Sequence, residues 1–178
     1  MSRIAEEREF FREHPGSVFD ETWHDIARNV QFAVENYRAC EPELKELYPD
    51  HWMELDQNHD TVPMDVDYEL YRNINDAGHL HVVTARHADS LIGYVISIIR
   101  PHLHHKSTMT AFTDMFYLMP DYRVGTIGYR LLKFMRDSVK ERGVKQIYAA
   151  TKLKYDVGPL LVRLGFNAVE RTYNLVFP

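Results

Sequence analysis

The chain of 178 residues has one cysteine, Cys40. That excludes an internal disulfide, and nothing argues for export to an oxidising compartment. No apolar run reaches the length of a membrane span. The N-terminal "MSRIAEEREFFREHPG" is too charged to supply the apolar core of a signal peptide. Internal repeats, low-complexity segments and linkers are missing as well. So are two familiar phosphate loops. The only glycine turn leading into an amphipathic helix lacks the G-x-G-x-x-G spacing of a dinucleotide loop, and no Gly-Lys-Ser/Thr follows it. By elimination the expectation is a cytoplasmic protein.

The 45% hydrophobic content is enough for one domain with a proper core. The net charge of -5 hides an asymmetry. Residues 121–178 hold eleven Lys/Arg against five Asp/Glu, whereas residues 1–120 hold ten against 21. The acidic majority would repel a long nucleic acid, so a compact anion suits the basic end better. Solvated charge on both halves explains the same totals equally well.

Residues 1–28 read as a helical extension, with pieces near 5–13 and 19–29 separated by Pro15-Gly16. This extension would cover the site, mediate a homodimer, or do neither. "NVQFAVEN" alternates Val30, Phe32 and Val34 as a short strand would; a continuing helix is the competing reading. Pro42 suits the first turn of a helix that runs to about Leu55. "VDYELYRNINDAG" predicts a helix closed by Gly78. "LHVVTAR" and "SLIGYVISII", joined by "HADS", predict an antiparallel hairpin. "RPHLHHKS" makes the next connection, and "TMTAFTDMFYL" reads as a third strand.

Beyond it, Ile127, Leu131, Met135 and Val139 share one helical face, and Gly143 stops the helix. "VKQIYAAT" reads as a strand, "GPLLVRLG" as a short helix and "NAVERTYNLVF" as a last strand. The expected class is α/β, a mixed central sheet of about six strands with helices on both faces.

"MPDYRVGTIGYRLL" is the segment that carries chemistry. Free backbone N–H groups at a helix start bind anions when small residues let the ligand approach. Gly125 and Gly128 are small, and Arg123 adds a fixed charge with hydrogen-bond donors. Taken alone, two glycines are equally explained by a plain strand-to-helix turn.

The longer string "TDMFYLMPDYRVGTIGYRLLKFM", followed by "LLVRLGF", resembles the GNAT N-acetyltransferase superfamily. Its acetyl-CoA motif runs Arg/Gln-x-x-Gly-x-Gly/Ala after a strand ending in apolar-x-Pro-x-Tyr. Arg123, Thr126 and Gly128 fall on the motif positions, with Thr126 in place of the usual first glycine. "LVRLGF" is similar to the later Y-x-x-x-G-F signature, with Leu161 where tyrosine is common. The resemblance covers residues 29–178, and "RPHLHHKST" with "TKLKYDVGPLLVRLGF" looks like a subgroup encoded by phages and prophages. For such a protein the host cytoplasm is the expected location.

The resemblance implies acetyl-CoA as co-substrate and an amine on a small molecule or protein as acceptor. No nucleic acid and no membrane are implied. Backbone N–H groups of Val124, Gly125, Thr126, Ile127, Gly128 and Tyr129 would bind the CoA pyrophosphate, with Arg123 nearby. The pantetheine arm would pair with Tyr117 and Leu118. Asp114 is the candidate base; a structural pairing with a nearby cation, or a water chain carrying the proton, competes with it. Tyr155 is the candidate acid, against a packed aromatic before a helix. Lys152 would shape the acyl pocket or solvate the helix start.

His102 and His104 would line the acceptor end of the groove, or simply sit on a surface loop. With His105 they are a thin basis for zinc, so no metal is expected. His79 and His81 read as locally hydrogen-bonded, and Cys40 lies too far from the motifs to act as nucleophile. The rival function class is an inactive GNAT-fold interaction module, which the departures at Thr126 and Leu161 favour.

Overall fold

The computed structural model describes residues 25–56 and 58–177. Most of the expected extension at 1–28 lies outside them; residues 25–29 are helical. Strand β1 (Gln31–Glu35) follows, then helix α1 (Tyr37–Leu55) and helix α2 (Tyr68–Asp76). Strands β2 (Leu80–His87), β3 (Ser90–His102) and β4 (His105–Leu118) come next. A 3-10 turn (Pro120–Tyr122) leads to helix α3 (Ile127–Glu141), strand β5 (Gln146–Ala149) and helix α4 (Gly158–Arg163).

The five strands lie in the order β1-β2-β3-β4-β5. The first three pairings are antiparallel, and β4 pairs with β5 in parallel across α3. Two non-glycine residues with positive φ, Ala88 and Asp89, make the β2–β3 turn. Such a turn matches the twist of the flanking strands.

Both faces of the sheet are covered, as the nearly all-apolar "LIGYVISII" requires. On one face α3 buries Ile127, Leu131, Met135 and Val139 against Val83, Val95 and Leu118. On the other, α1 and α2 pack Tyr37, Leu44, Tyr48 and Tyr71 against Val82, Tyr94 and Tyr117. Each fully buried Leu, Ile or Met contributes roughly 1.5–3 kcal/mol. His81 and His79 are hydrogen-bonded where they stand. Buried His81 bonds Ser138 Oγ through Nε2 at 2.8 Å, and His79 Nδ1 bonds the Ile99 carbonyl at 2.9 Å.

Three expectations change. Helix α1 starts at Tyr37, not at Pro42, because Asn36 caps it by accepting from the Arg38 N–H at 3.0 Å. Pro42 and Pro49 both lie inside the helix. The "RPHLHHKS" connection shrinks to Leu103 and His104, since His102 already pairs with His105 across the hairpin. Residues 167–177 form no strand, so the sheet has five strands rather than about six. Alternation over "NAVERTYNLVF" shows what a strand would need, but a strand also requires an edge to pair with. Here Val169, Tyr173, Leu175 and Phe177 are exposed.

Candidate active site

Strand β4 outruns its parallel partner. Pairing with β5 ends at Thr113↔Ala149, whereas pairing with β3 continues to Leu118. Where the two strands part, the β3 register shifts, so that Ile96 faces Met115 and Ser97 faces Thr113. Asp114 is the extra residue of that bulge. A bulge re-aims side chains and ends pairing, and Asp114 stands exposed with its carboxylate accepting from the Tyr71 hydroxyl at 2.5 Å. Tyr71 is stacked on Tyr37 at 5.3 Å, which fixes the ring from behind. Burial, reinforced by the Asp114 carboxylate, pushes the Tyr71 hydroxyl pKa up, so Tyr71 is a steady donor.

The far end of β4 is held tightly on β3. A side chain at Gly93 would meet the Tyr117 carbonyl at 2.7 Å, so only glycine lets the strands approach here. Met119 then returns a hydrogen bond to the Ile92 carbonyl at 2.9 Å. The chain turns through Pro120–Tyr122 and reaches Gly125, whose φ of +54° suits glycine. Thr126 is the N-cap of α3, exposed, and its hydroxyl makes no capping bond. The Ile127 N–H is taken by the Val124 carbonyl. Among the described residues, the N–H groups of Val124, Gly125, Thr126, Gly128 and Tyr129 find no acceptor. Gly128 packs on Leu118 and Phe116, which sets these donors directly beside the splayed end of β4. Free backbone donors at a helix start thus stand next to an open strand edge.

A groove of about 520 Å³ lies alongside, lined by Asp50, Met53, Glu54, Tyr117, Pro120, Arg123 and Tyr155. Asp50, Met53 and Glu54 share one face of α1, being three and four residues apart. Arg123 is bound to Glu54 through two bonds of 2.5 and 2.6 Å, and its Nε donates to the Leu118 carbonyl at 2.7 Å. Glu54 raises the guanidinium pKa further. Beneath the groove His51 is stacked on Tyr117 at 4.9 Å, with Nδ1 at 2.7 Å from the Tyr94 hydroxyl. Burial lowers the His51 pKa to about 4, so its ring is neutral at neutral pH.

A family model for the acetyltransferase (GNAT) family matches residues 41–166. The chain belongs to the GNAT acetyltransferase family. No curated protein sequence matches it. Solved structures share the GNAT fold at low identity. An aminoglycoside acetyltransferase from an uncultured soil metagenomic sample, in complex with trehalose, has a TM-score of 0.66 at 12% identity, covering 86% of this chain and 98% of that one. A ribosomal-protein-alanine N-acetyltransferase from Brucella melitensis biovar Abortus gives 0.66 at 20% identity, covering 84% and 98%. A predicted acetyltransferase with acetyl-CoA, from Clostridium acetobutylicum, gives 0.60 at 17% identity, covering 82% and 95%.

In this GNAT chain the expected site residues do not all meet. Tyr117 and Arg123 share the groove with Tyr155, which the Thr151 hydroxyl and the Lys152–Tyr155 bridge hold in a short turn, while Leu118 meets Arg123 through its carbonyl and Gly128 of the 124–129 loop through its side chain. Lys152 is exposed in that turn. The side chains of Val124 and Tyr129 are half-buried against the core and Ile127 is fully buried, so the loop exposes mainly backbone and the Thr126 side chain. Cys40 is buried in the α1 core, and burial pushes its thiol pKa up to about 12. His102 and His104 lie at the opposite end of β4, roughly 40 Å along the strand from Leu118, and do not reach the groove. His102 instead stacks on His105 at 4.9 Å. Among the described residues no group of three His, Cys, Asp or Glu could hold a metal ion, and no helix is long and apolar enough to cross a membrane.

Sequence reasoning missed His51, Glu54 and Tyr71. The spacing of Asp50, Met53 and Glu54 was readable as one helix face. Nothing local told what that face meets, since Glu54 and its partner Arg123 are 69 residues apart.

Proposed function

We propose that the chain transfers an acetyl group from acetyl-CoA to an amine by direct attack. The observation that carries this is the row of unpaired N–H groups at the start of α3, set against the edge where β4 and β5 separate. Backbone donors at a helix start suit a pyrophosphate, and an unpaired strand edge suits the amide-bearing pantetheine arm. Thr126 fits, because its hydroxyl is exposed and uncommitted at the N-cap. When bound, acetyl-CoA supplies an activated acyl group; the chain supplies position and proton transfer.

Asp114, re-aimed by the bulge and held by Tyr71, accepts the proton that the attacking nitrogen loses. A C–N bond forms as the C–S bond breaks, and Tyr155 in the groove returns a proton to the leaving sulfur. Asp50 and Asp114 make this side of the sheet acidic, which suits a cationic small molecule or a protein amine as acceptor. Asp114→Asn should leave CoA affinity within about twofold and lower kcat by about 10²-fold or more. Calorimetry with CoA and a thiol-release assay over a panel of amines check both. Unchanged turnover in this variant removes Asp114 as base.

One observation favours a second reading, a GNAT-fold binding module without turnover. Leu161 is buried in the core and offers no hydroxyl at the position where the family commonly has tyrosine. A panel that yields CoA binding but no thiol release selects that reading.

A further inference from the structure

We propose that Glu54 and Arg123 form an ionic latch across the groove, which the arriving anionic ligand opens. The proposal rests on the acetyl-CoA reading above. All three nitrogens of the Arg123 guanidinium donate inside the chain. Two face Glu54 at 2.5 and 2.6 Å, and Nε faces the Leu118 carbonyl at 2.7 Å. The Met119 N–H points to β3, where it meets Ile92, so Leu118, one residue earlier, turns its carbonyl to the open side of β4. That is the side where an extended ligand would pair. Arg123 therefore occupies an acceptor the ligand needs, and Glu54 holds it there.

The same pair neutralises the only cation that lines the groove among the described residues. The Glu54 side chain is only 15% exposed, so solvent screens the contact less than an open surface pair. An oxyanion can replace a carboxylate on a guanidinium in the same two-pronged geometry. On ligand binding, Arg123 passes from Glu54 to phosphate. The Leu118 carbonyl is released, and the last turn of α1 comes free of the loop. Glu54 thus sets the affinity of the groove without touching the ligand; it is a positioning residue.

The test uses the full chain, CoA as probe, and hydrogen exchange of residues 118–129. Glu54→Gln keeps the shape and removes the charge. It should bind CoA about fivefold tighter or better, and its 118–129 amides should exchange faster without ligand. Equal or weaker affinity overturns the latch. Arg123→Gln opens the groove but brings no cation, so it should bind CoA more weakly than Glu54→Gln does. A match between the two variants overturns the transfer of Arg123 to phosphate.

If none of the proteins binds CoA, the acetyl-CoA reading fails, and exchange still decides whether Glu54 holds the loop. Unchanged exchange in Glu54→Gln overturns that hold. Should the variant misfold, wild-type protein in about 1 M salt replaces it, because screening at that strength weakens the pair. Faster exchange of 118–129 then supports the latch, and an unaltered rate overturns it.

Discussion

Burial keeps His51 and His81 neutral, each with its pKa lowered to about 4. His81 accepts from the Arg142 guanidinium at Nδ1, which leaves Nε2 to donate to Ser138. In the unfolded chain both rings titrate near 6.5, as free imidazole does. Between pH 6.5 and 4 the unfolded state binds protons that the folded state refuses. Stability should therefore be complete above pH 6.5 and fall as pH drops toward 4, by about 3 kcal/mol per histidine. Urea unfolding at several pH values measures this, and His81→Gln should remove about half of the fall. An undiminished pH slope in His81→Gln would show that this ring is not the cause. The carboxylates behave otherwise: Arg38 holds Asp76 at about 2, so its ion pair survives throughout that window. At this scale the site was partly legible. Gly125, Arg123 and Asp114 announce themselves by local type and spacing. Tyr71 does not, since its task is defined by a contact with Asp114 that spans 43 residues.

Among the elements, β4 and its two neighbours shape the site, and Gly93 is the hinge pin of that arrangement. A methyl there would meet backbone, the Tyr117 carbonyl, at 2.7 Å, and backbone cannot swing aside as a side chain can. Gly93→Ala should cost about 1–3 kcal/mol and displace Tyr117 and Leu118, weakening CoA binding along with thermal stability. A variant with native melting temperature and native CoA affinity would count against this account of the β3–β4 contact. Most elements could be read from periodicity because their apolar faces are continuous, as in α3 and β3. Boundaries were less legible. Asn36 captured the start of α1 six residues before Pro42, since a side-chain cap at the N-terminus outweighs the preference of proline for the first turn. The last strand failed for a different reason. The alternation of Tyr173, Leu175 and Phe177 is real, but sequence cannot say whether an edge exists to receive it.

For the whole molecule the expected signature of function is thermodynamic. A ligand that binds only the folded state at a hundredfold excess over Kd adds about 2.7 kcal/mol of stability. In a domain of this size CoA should raise the melting temperature by about 5–11 °C. Adenosine, which lacks the pyrophosphate, should leave it unmoved. A melting curve indifferent to CoA would argue against the cofactor irrespective of turnover. The parting of β4 from β5 has one further consequence. Sheet edges with idle hydrogen-bonding groups invite other chains to pair with them, and β4 beyond Thr113 presents such an edge, because β5 ends at Ala149. Under the proposed function, a ligand lying along β4 would serve as a removable segment of secondary structure, supplied from solution and discarded after each turnover. On that reading the sheet is complete only while the ligand is bound, and metabolite supply decides for how much of the protein's life the edge stays filled.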